Sequence, residues 1–385
     1  MKIFQIGCFP LNSNLIKGGV EASVYGLAVE QCKDNQVSVI DIPRADIIGD
    51  YTEEIEGVCV YRFLMSGKQN YSAIFRLRTI LPIIRKENPD ICHIHSTSLF
   101  CFLLYLLLRF YRFKLVVTVH GLTHIEKKNL WQKQHSIRNL IKYTTQSFTE
   151  FLFLSICPLI IVDTHYVAEA IKSYKKEAKI FKLPKCDIIP QGVNGVFFHL
   201  NKSIIKNQLI SVGAINKRKG HSYLIEAMKK VKAQVPEVTL FIVGVLSDSV
   251  YYQLLQKSFI ENNLENQIKI LPNASFDVIQ SLLSSSDIFI LHSEEESQGI
   301  VFCEAMAAGK AIVATNVGGI PFVVENNVNG LLSDFGDIDT FANNVITLLQ
   351  NDSLREKMEE SNRIKAHNYE WRNISKEISK VYDSL

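Results

Sequence analysis

The sequence predicts an α/β protein of two Rossmann-like, doubly wound domains, and three observations carry that expectation. The chain has 385 residues, which at roughly 150 residues per domain suits two domains that each bury a core. Short runs rich in Val and Ile, closed by Gly, Ser, Asp or Pro, recur along its length. Alternating with helical stretches, such runs read as buried parallel strands in βαβ units. The composition, 47% hydrophobic and 21% charged, is that of a folded chain and excludes disorder as the main state.

In order, the runs of the first half are KIFQIG (2–7), QVSVIDI (36–42), VCVYRF (58–63), ICHIHS (91–96), KLVVTVHG (114–121) and LIIVD (159–163), with a further strand near CDIIPQG. Those of the second half are QLISVG (208–213), VTLFIVG (238–244), IKIL (268–271), DIFILHS (287–293) and AIVAT (311–315). Among the helical stretches, HSYLIEAMKKVKAQVP sets Leu224, Ala227, Met228 and Val231 on one face before Pro236, and TFANNVITLLQ does so with Phe341, Val345 and Leu348 or Leu349. The polar stretch from Asn194 to Asn207 marks the boundary, which places the domains at 1–200 and 201–365. No G-x-G-x-x-G follows the first strand, which argues against a nicotinamide enzyme.

The eight cysteines include no C-x-x-C pair and mostly sit in apolar runs, which points to a reducing compartment and no zinc site. MKIFQIGCFP has no basic region followed by a long apolar one, so it reads as a first strand, and a cytoplasmic location is expected. The longest apolar run, Leu99 to Leu108, is about half of the roughly 20 residues a membrane-crossing helix needs.

Residues 1–200 hold 24 Lys and Arg against 17 Asp and Glu, and the remainder 18 against 22. Lys127, Lys128, Lys133, Arg138, Lys142, Lys172, Lys175, Lys176, Lys179, Lys182 and Lys185 concentrate the positive charge. Beside exposed apolar side chains such a face would hold a protein peripherally on the inner membrane leaflet; an ordinary solvated face is the plainer reading. A nucleic-acid partner is not expected, because the basic residues lack aromatic interleaving and the second half is acidic.

Ligands of doubly wound sheets sit at the carboxyl ends of the strands, which selects the candidate site. In HSEEESQGIVFCEAMAAG a loop turns into a helix at about Ile300, so the amides of Gln298, Gly299, Ile300 and Val301 are placed to cradle an anion or sugar hydroxyls. Glu304, in the first turns of that helix, suits a ribose diol, since a carboxylate accepts two hydroxyl bonds. The plain alternative leaves Glu296 in a solvated acidic run with Glu294 and Glu295. After QLISVG, Lys217, Arg218, Lys219 and Gly220 stand at a helix start, a combination suited to a diphosphate. Gly18 and Gly19 open a helix after the first strand, and His120 with Gly121 ends the apolar strand KLVVTV, offering an imidazole to a sugar hydroxyl. His93, His95 and His124 rank below His120, and neither the histidines nor the carboxylates show metal-ligand spacing.

With these motifs in this order, the chain resembles the family 4 glycosyltransferases, retaining enzymes of the GT-B fold. The resemblance rests on Gly18-Gly19-x-Glu21, His120-Gly121, IIPQGVNGVFF, VGAINKRKG, the Glu296-x7-Glu304 pair within SEEESQGIVFCEAMAAG, and TNVGGIPFVVENNVNGLL. It implies two Rossmann-like domains facing each other across a cleft, with the closing helix in 366–385 crossing back to the first. It further implies a nucleotide-sugar donor, UDP- before GDP-, a glycan or lipid-linked acceptor in cell-surface polysaccharide or glycoconjugate synthesis, and no metal or other cofactor. By the same resemblance the catalytic residues are His120, Glu296 and Lys219. The donor-binding residues are Gly18, Gly19, Arg218, Lys219, Ser297, Gln298, Gly299, Ile300, Val301 and Glu304. The chain departs from the family pattern at Ala214, where an arginine is usual, at Val245-Leu246, where glycines are, and at Phe322, where a glutamate is frequent. A nucleotide-sugar epimerase or phosphorylase on the same scaffold, or a silent nucleotide-sugar binder, are the competing readings.

Overall fold

A computed structural model describes the chain except residues 13–15, 17, 66–71, 126, 127, 129, 130, 132–135, 179–183 and 202. Four of the basic residues named above, Lys127, Lys133, Lys179 and Lys182, thus lie outside the described residues. Two compact units emerge: Met1–Pro10 with Val20–Pro190 and Arg372–Leu385, and Leu11–Gly19 with Gln191–Trp371.

The described strands of the first unit are β1 (Lys2–Gly7), β2 (Gln36–Asp41), β3 (Tyr51–Ile55), β4 (Val58–Arg62), β5 (Ile91–Ile94), β6 (Leu115–Val119), β7 (Leu159–Val162) and β8 (Lys185–Ile188). They lie in the order β3-β4-β2-β1-β5-β6-β7-β8. Neighbours are parallel except β3 and β4, which pair antiparallel. Edge strand β3, YTEEI, is largely exposed and so carries no apolar run that would mark it. The central strands are buried throughout: β5 and β7 have no accessible position, since helices cover both faces of a parallel sheet. The helix Leu99–Phe110 starts at Ser98, whose side chain accepts from the Cys101 amide, and buries Phe100, Cys101, Leu104, Tyr105 and Leu108. Leu106 and Phe110 stay exposed. No helix among the described residues is long and apolar enough to cross a membrane.

The second unit holds β9 (Gln208–Val212), β10 (Thr239–Gly244), β11 (Ile268–Pro272), β12 (Ile288–Leu291), β13 (Ala311–Thr315) and β14 (Gly330–Ser333), in the order β11-β10-β9-β12-β13-β14 and all parallel. The strand β14, GLLS, has only Leu331 and Leu332 between Gly330 and Ser333, so it does not show as an apolar run in sequence. Both helices read from periodicity are present, at His221–Gln234 and Ile338–Gln350, with their named apolar residues buried.

The units divide at Pro190 and Gln191, ten residues before the boundary drawn from polarity. The difference lies in GVNGVFFHL: Phe197 is buried against Phe276, their ring centroids 5.5 Å apart, and the Val193 amide donates to the Tyr369 carbonyl at 2.8 Å. A polar stretch therefore carries an apolar anchor into the second core. In the closing helix, Trp371–Asp383, the part from Arg372 onward belongs to the first unit, with Ile374, Ile378, Val381 and Tyr382 buried.

Candidate active site

In the second sheet the chain order reverses between β9 and β12, which are neighbours; the carboxyl ends of strands at such a point are where ligands bind. β9 leads into Gly213 and the turn Lys217–Lys219, and β12 leads into His292–Glu296. The topology therefore delivers the basic and acidic motifs to the same place.

The turn is built closely. Gly244 has φ +151°, and a Cβ there would lie 2.0 Å from the Gly213 carbonyl oxygen, so only glycine lets the ends of β9 and β10 approach this way. Asn216 caps the turn, its side chain accepting from the Lys219 amide at 3.3 Å. Lys219 is folded back and buried, and its ammonium donates to Glu296 Oε1.

Glu296 is held from every side. Ser293 Oγ donates to its Oε1 at 2.8 Å, and Thr315 Oγ1 in turn donates to the Ser293 carbonyl at 2.7 Å. Arg218 Nη1 lies 3.8 Å from Glu296 Oε2 and donates to the Glu295 carbonyl at 3.0 Å. The Gly319 amide donates to the Glu296 carbonyl at 2.8 Å. Burial opposes ionisation of Glu296, but Lys219, Arg218 and Ser293 outweigh it and hold the carboxyl below the usual carboxylate range. Glu296 is thus a buried, paired carboxylate and not part of a solvated acidic run.

Beyond it, Gly299 takes φ +75° at the start of the helix Ile300–Ala307, whose first amides, at Ile300 and Val301, have no intrahelical acceptor. The Gln298 side chain turns inward instead: its Oε1 accepts from the Gln191 amide at 2.7 Å and its Nε2 donates to the Gln191 carbonyl at 3.2 Å. Ser297 offers its carbonyl to the close approach of Gly319, where a Cβ would lie 1.7 Å from it. Glu304 is half-buried, and burial pushes its carboxyl up to about 8. Gly18 and Gly19 cluster with this unit, and a Cβ on Gly19 would stand 3.7 Å from Ile300 Cγ2. The structure therefore gathers Gly19, Arg218, Lys219, Glu296 and the Ser297–Val301 loop. The parts played by Ser293, Thr315 and Gly319 were not assigned from sequence; their signal was position alone, at the ends of β12 and β13.

His120 belongs to the first unit, one residue past β6. Its Nε2 lies 3.2 Å from His95 Nδ1 and its Nδ1 3.4 Å from Asp163 Oδ1. The loop that follows is fixed by Glu150, which sequence reasoning passed over. That fully buried carboxylate accepts from Thr97 Oγ1 at 2.7 Å and from the Thr123 and His124 amides at 2.9 Å each, and it lies 2.8 Å from His124 Nδ1. Among the described residues no group of three or more His, Cys, Asp or Glu side chains is placed to hold a metal ion.

Comparison with known proteins follows the same division. Residues 17–194 match the family Glycosyltransferase Family 4, and residues 196–365 match Glycosyl transferases group 1. An N-acetyl-alpha-D-glucosaminyl L-malate synthase from Bacillus anthracis is 28% identical over 73% of this chain and 71% of its own length. An uncharacterized glycosyltransferase of Methanocaldococcus jannaschii is 27% identical over 49% of this chain, and the match spans 53% of that protein, about half its length. In structure, the sucrose-phosphate synthase of Thermosynechococcus elongatus aligns with TM-score 0.81 at 18% identity, covering 100% of this chain and 99% of that one. Anabaena HepE, solved in complex with UDP-glucose, aligns with TM-score 0.74 at 17% identity over 100% of both chains. With both halves matched in order and GT-B structures aligned along its whole length, the chain belongs to the group 1, family 4 glycosyltransferases and has the GT-B fold.

Proposed function

We propose that this protein is a retaining hexosyltransferase that moves a sugar from a nucleoside diphosphate, UDP before GDP, to a hydroxyl of a glycan or lipid-linked acceptor in cell-surface polysaccharide or glycoconjugate synthesis. The observation that carries the proposal is the cation cluster of Arg218 and Lys219 around Glu296, beside the opening amides of the helix at Ile300. Negative charge grows on the departing diphosphate as the sugar becomes oxocarbenium-like, and preorganised cations and amides stabilise that charge. In this reading the bond from the anomeric carbon to the diphosphate oxygen breaks, and the acceptor oxygen bonds on the same face. The acceptor's proton passes to the departing phosphate oxygen. Lys219 and Arg218 supply the positive charge, with no divalent ion. Glu304 receives the ribose hydroxyls, and Glu296 with the Ser297–Val301 loop receives the sugar. His120 stands beside the reacting carbon. The UDP-glucose in the HepE complex supports a uridine donor.

The test is mass spectrometry of the purified protein with UDP-, GDP- and ADP-sugars, with and without chelator, beside Lys219→Ala and Glu304→Ala. Slow, chelator-resistant release of one nucleoside diphosphate, lost in both variants, is the expected result; no binding of any nucleotide-sugar would overturn the proposal. We further propose peripheral attachment to the cytoplasmic face of the membrane. Ile137, Ile141 and Phe148 are exposed on the helix Ile137–Ile156, where Arg138 and Lys142 are also exposed, and Phe110 and Arg112 are exposed in the first unit as well. Failure to co-sediment with anionic liposomes at low salt would count against it.

A further inference from the structure

One face of the first sheet carries polar side chains at positions of a single parity. Gln5 on β1, His93 on β5 with His95 just after it, and Thr118 on β6 are all buried, and the register sets Gln5 beside His93. The opposite parity, with Phe4, Ile6, Cys92, Ile94, Val117 and Val119, lies in the apolar core. Tyr382, from the closing helix, completes the polar face. Its phenol oxygen accepts from Gln5 Nε2 at 3.2 Å and Gln31 Nε2 at 3.4 Å, and lies 2.7 Å from His93 Nδ1.

These partners assign the protons. With its acceptor sites taken, Tyr382 gives its one proton to His93 Nδ1, so His93 holds its own on Nε2 and donates to Thr118 Oγ1 at 2.6 Å. Gln5 commits its amide nitrogen to Tyr382 and to Gln31 Oε1, the latter at 2.6 Å, which turns its Oε1 to His95 Nε2, also at 2.6 Å. Burial holds His93 at about 3 and His95 well below the ordinary histidine value, so each ring carries one proton. His95 therefore keeps its proton on Nε2 and presents a bare Nδ1 to His120 Nε2. The rings of His95 and His120 are near parallel, 14° apart.

We propose that Gln5, oriented by Tyr382, is a positioning residue for His120: through the tautomer of His95 it requires His120 to carry a proton on Nε2 and fixes the plane of its ring. The inference rests on the reading of His120 as the group beside the reacting sugar. It adds that a residue of the closing helix acts on that group through a buried relay.

The experiment is nitrogen NMR of the full chain with 15N-labelled histidine, for the wild type, Tyr382→Phe and Gln5→Met, together with turnover of the donor sugar. The expected wild-type spectrum shows His93 and His95 protonated on Nε2. In both variants His95 becomes a mixture of tautomers, the His120 Nε2–H signal weakens, and kcat falls roughly tenfold at unchanged donor KM, about the effect of one misplaced hydrogen bond. Unchanged His95 and His120 signals in both variants, or a wild-type His95 protonated on Nδ1, would overturn the relay. Tyr382→Phe keeps the ring volume, so it reports even if Gln5→Met fails to fold. The spectra need no substrate: an intact relay in a wild-type protein that turns over no nucleotide-sugar would sink the transfer reading and leave the proton assignment standing.

Discussion

Lys219 and Glu296, 77 residues apart in the chain, form an ion pair in which both partners are buried. A buried pair adds little net stability, but removing one partner strands the other charge in a poor solvent. Glu296→Ala is therefore expected to destabilise the second unit by about 3–5 kcal/mol, whereas the double variant Lys219→Met with Glu296→Leu should recover most of that loss. Urea unfolding of the three proteins checks it, and a double variant as unstable as the single one would contradict it.

Glu304 ties stability to pH in a defined direction. Burial pushes its carboxyl up to about 8 from the ordinary 4.5, so folding takes up a proton between those values and stability falls as pH rises through that window. Glu304→Gln removes the penalty. Its stability relative to the wild type should grow by about 1–3 kcal/mol from pH 5 to pH 8 and level off above. Denaturant midpoints of both proteins across this range are the measurement.

Gly319 has no room for a side chain, since a Cβ would meet the Ser297 carbonyl at 1.7 Å. Gly319→Ala must push away the loop whose carbonyl at Glu296 its own amide holds. A cost of about 2–4 kcal/mol is expected, with loss of nucleoside diphosphate binding in calorimetry.

Ala214 is partly buried, after Gly213 at the end of β9. A guanidinium there would add a charge-assisted bond to a diphosphate, so under the proposed function Ala214→Arg is expected to tighten nucleoside diphosphate binding roughly tenfold or more. Equal or weaker binding in titration calorimetry would show that Arg218 already fills that part.

The legible parts of this molecule were those where burial writes itself into composition. Strands such as LIIV and IFIL, covered on both faces, show as apolar runs. The edge strand YTEEI, exposed and acidic, does not. At the site, the motifs around Lys219 and Glu296 were visible, but their pairing was not, because nothing local in either segment records a neighbour 77 residues away. The polar face under Tyr382 left a trace that went unused. Gln5 in KIFQIG, His93 and His95 in ICHIHS, and Thr118 and His120 in VVTVH each break an apolar strand at a single parity. Three adjacent strands broken in that way signal a polar layer inside a sheet, where single histidines read alone signal nothing.

The path of the chain has a consequence for how the protein is made. The first unit is left at Pro190 and rejoined only at Arg372, so a ribosome completes the whole second unit before it supplies Tyr382. Until then Gln5 and His93 lack their shared partner, and a buried polar group without a partner is costly. The unit synthesised first is thus the last to be sealed, and the nascent chain carries an unfinished sheet while its neighbour folds.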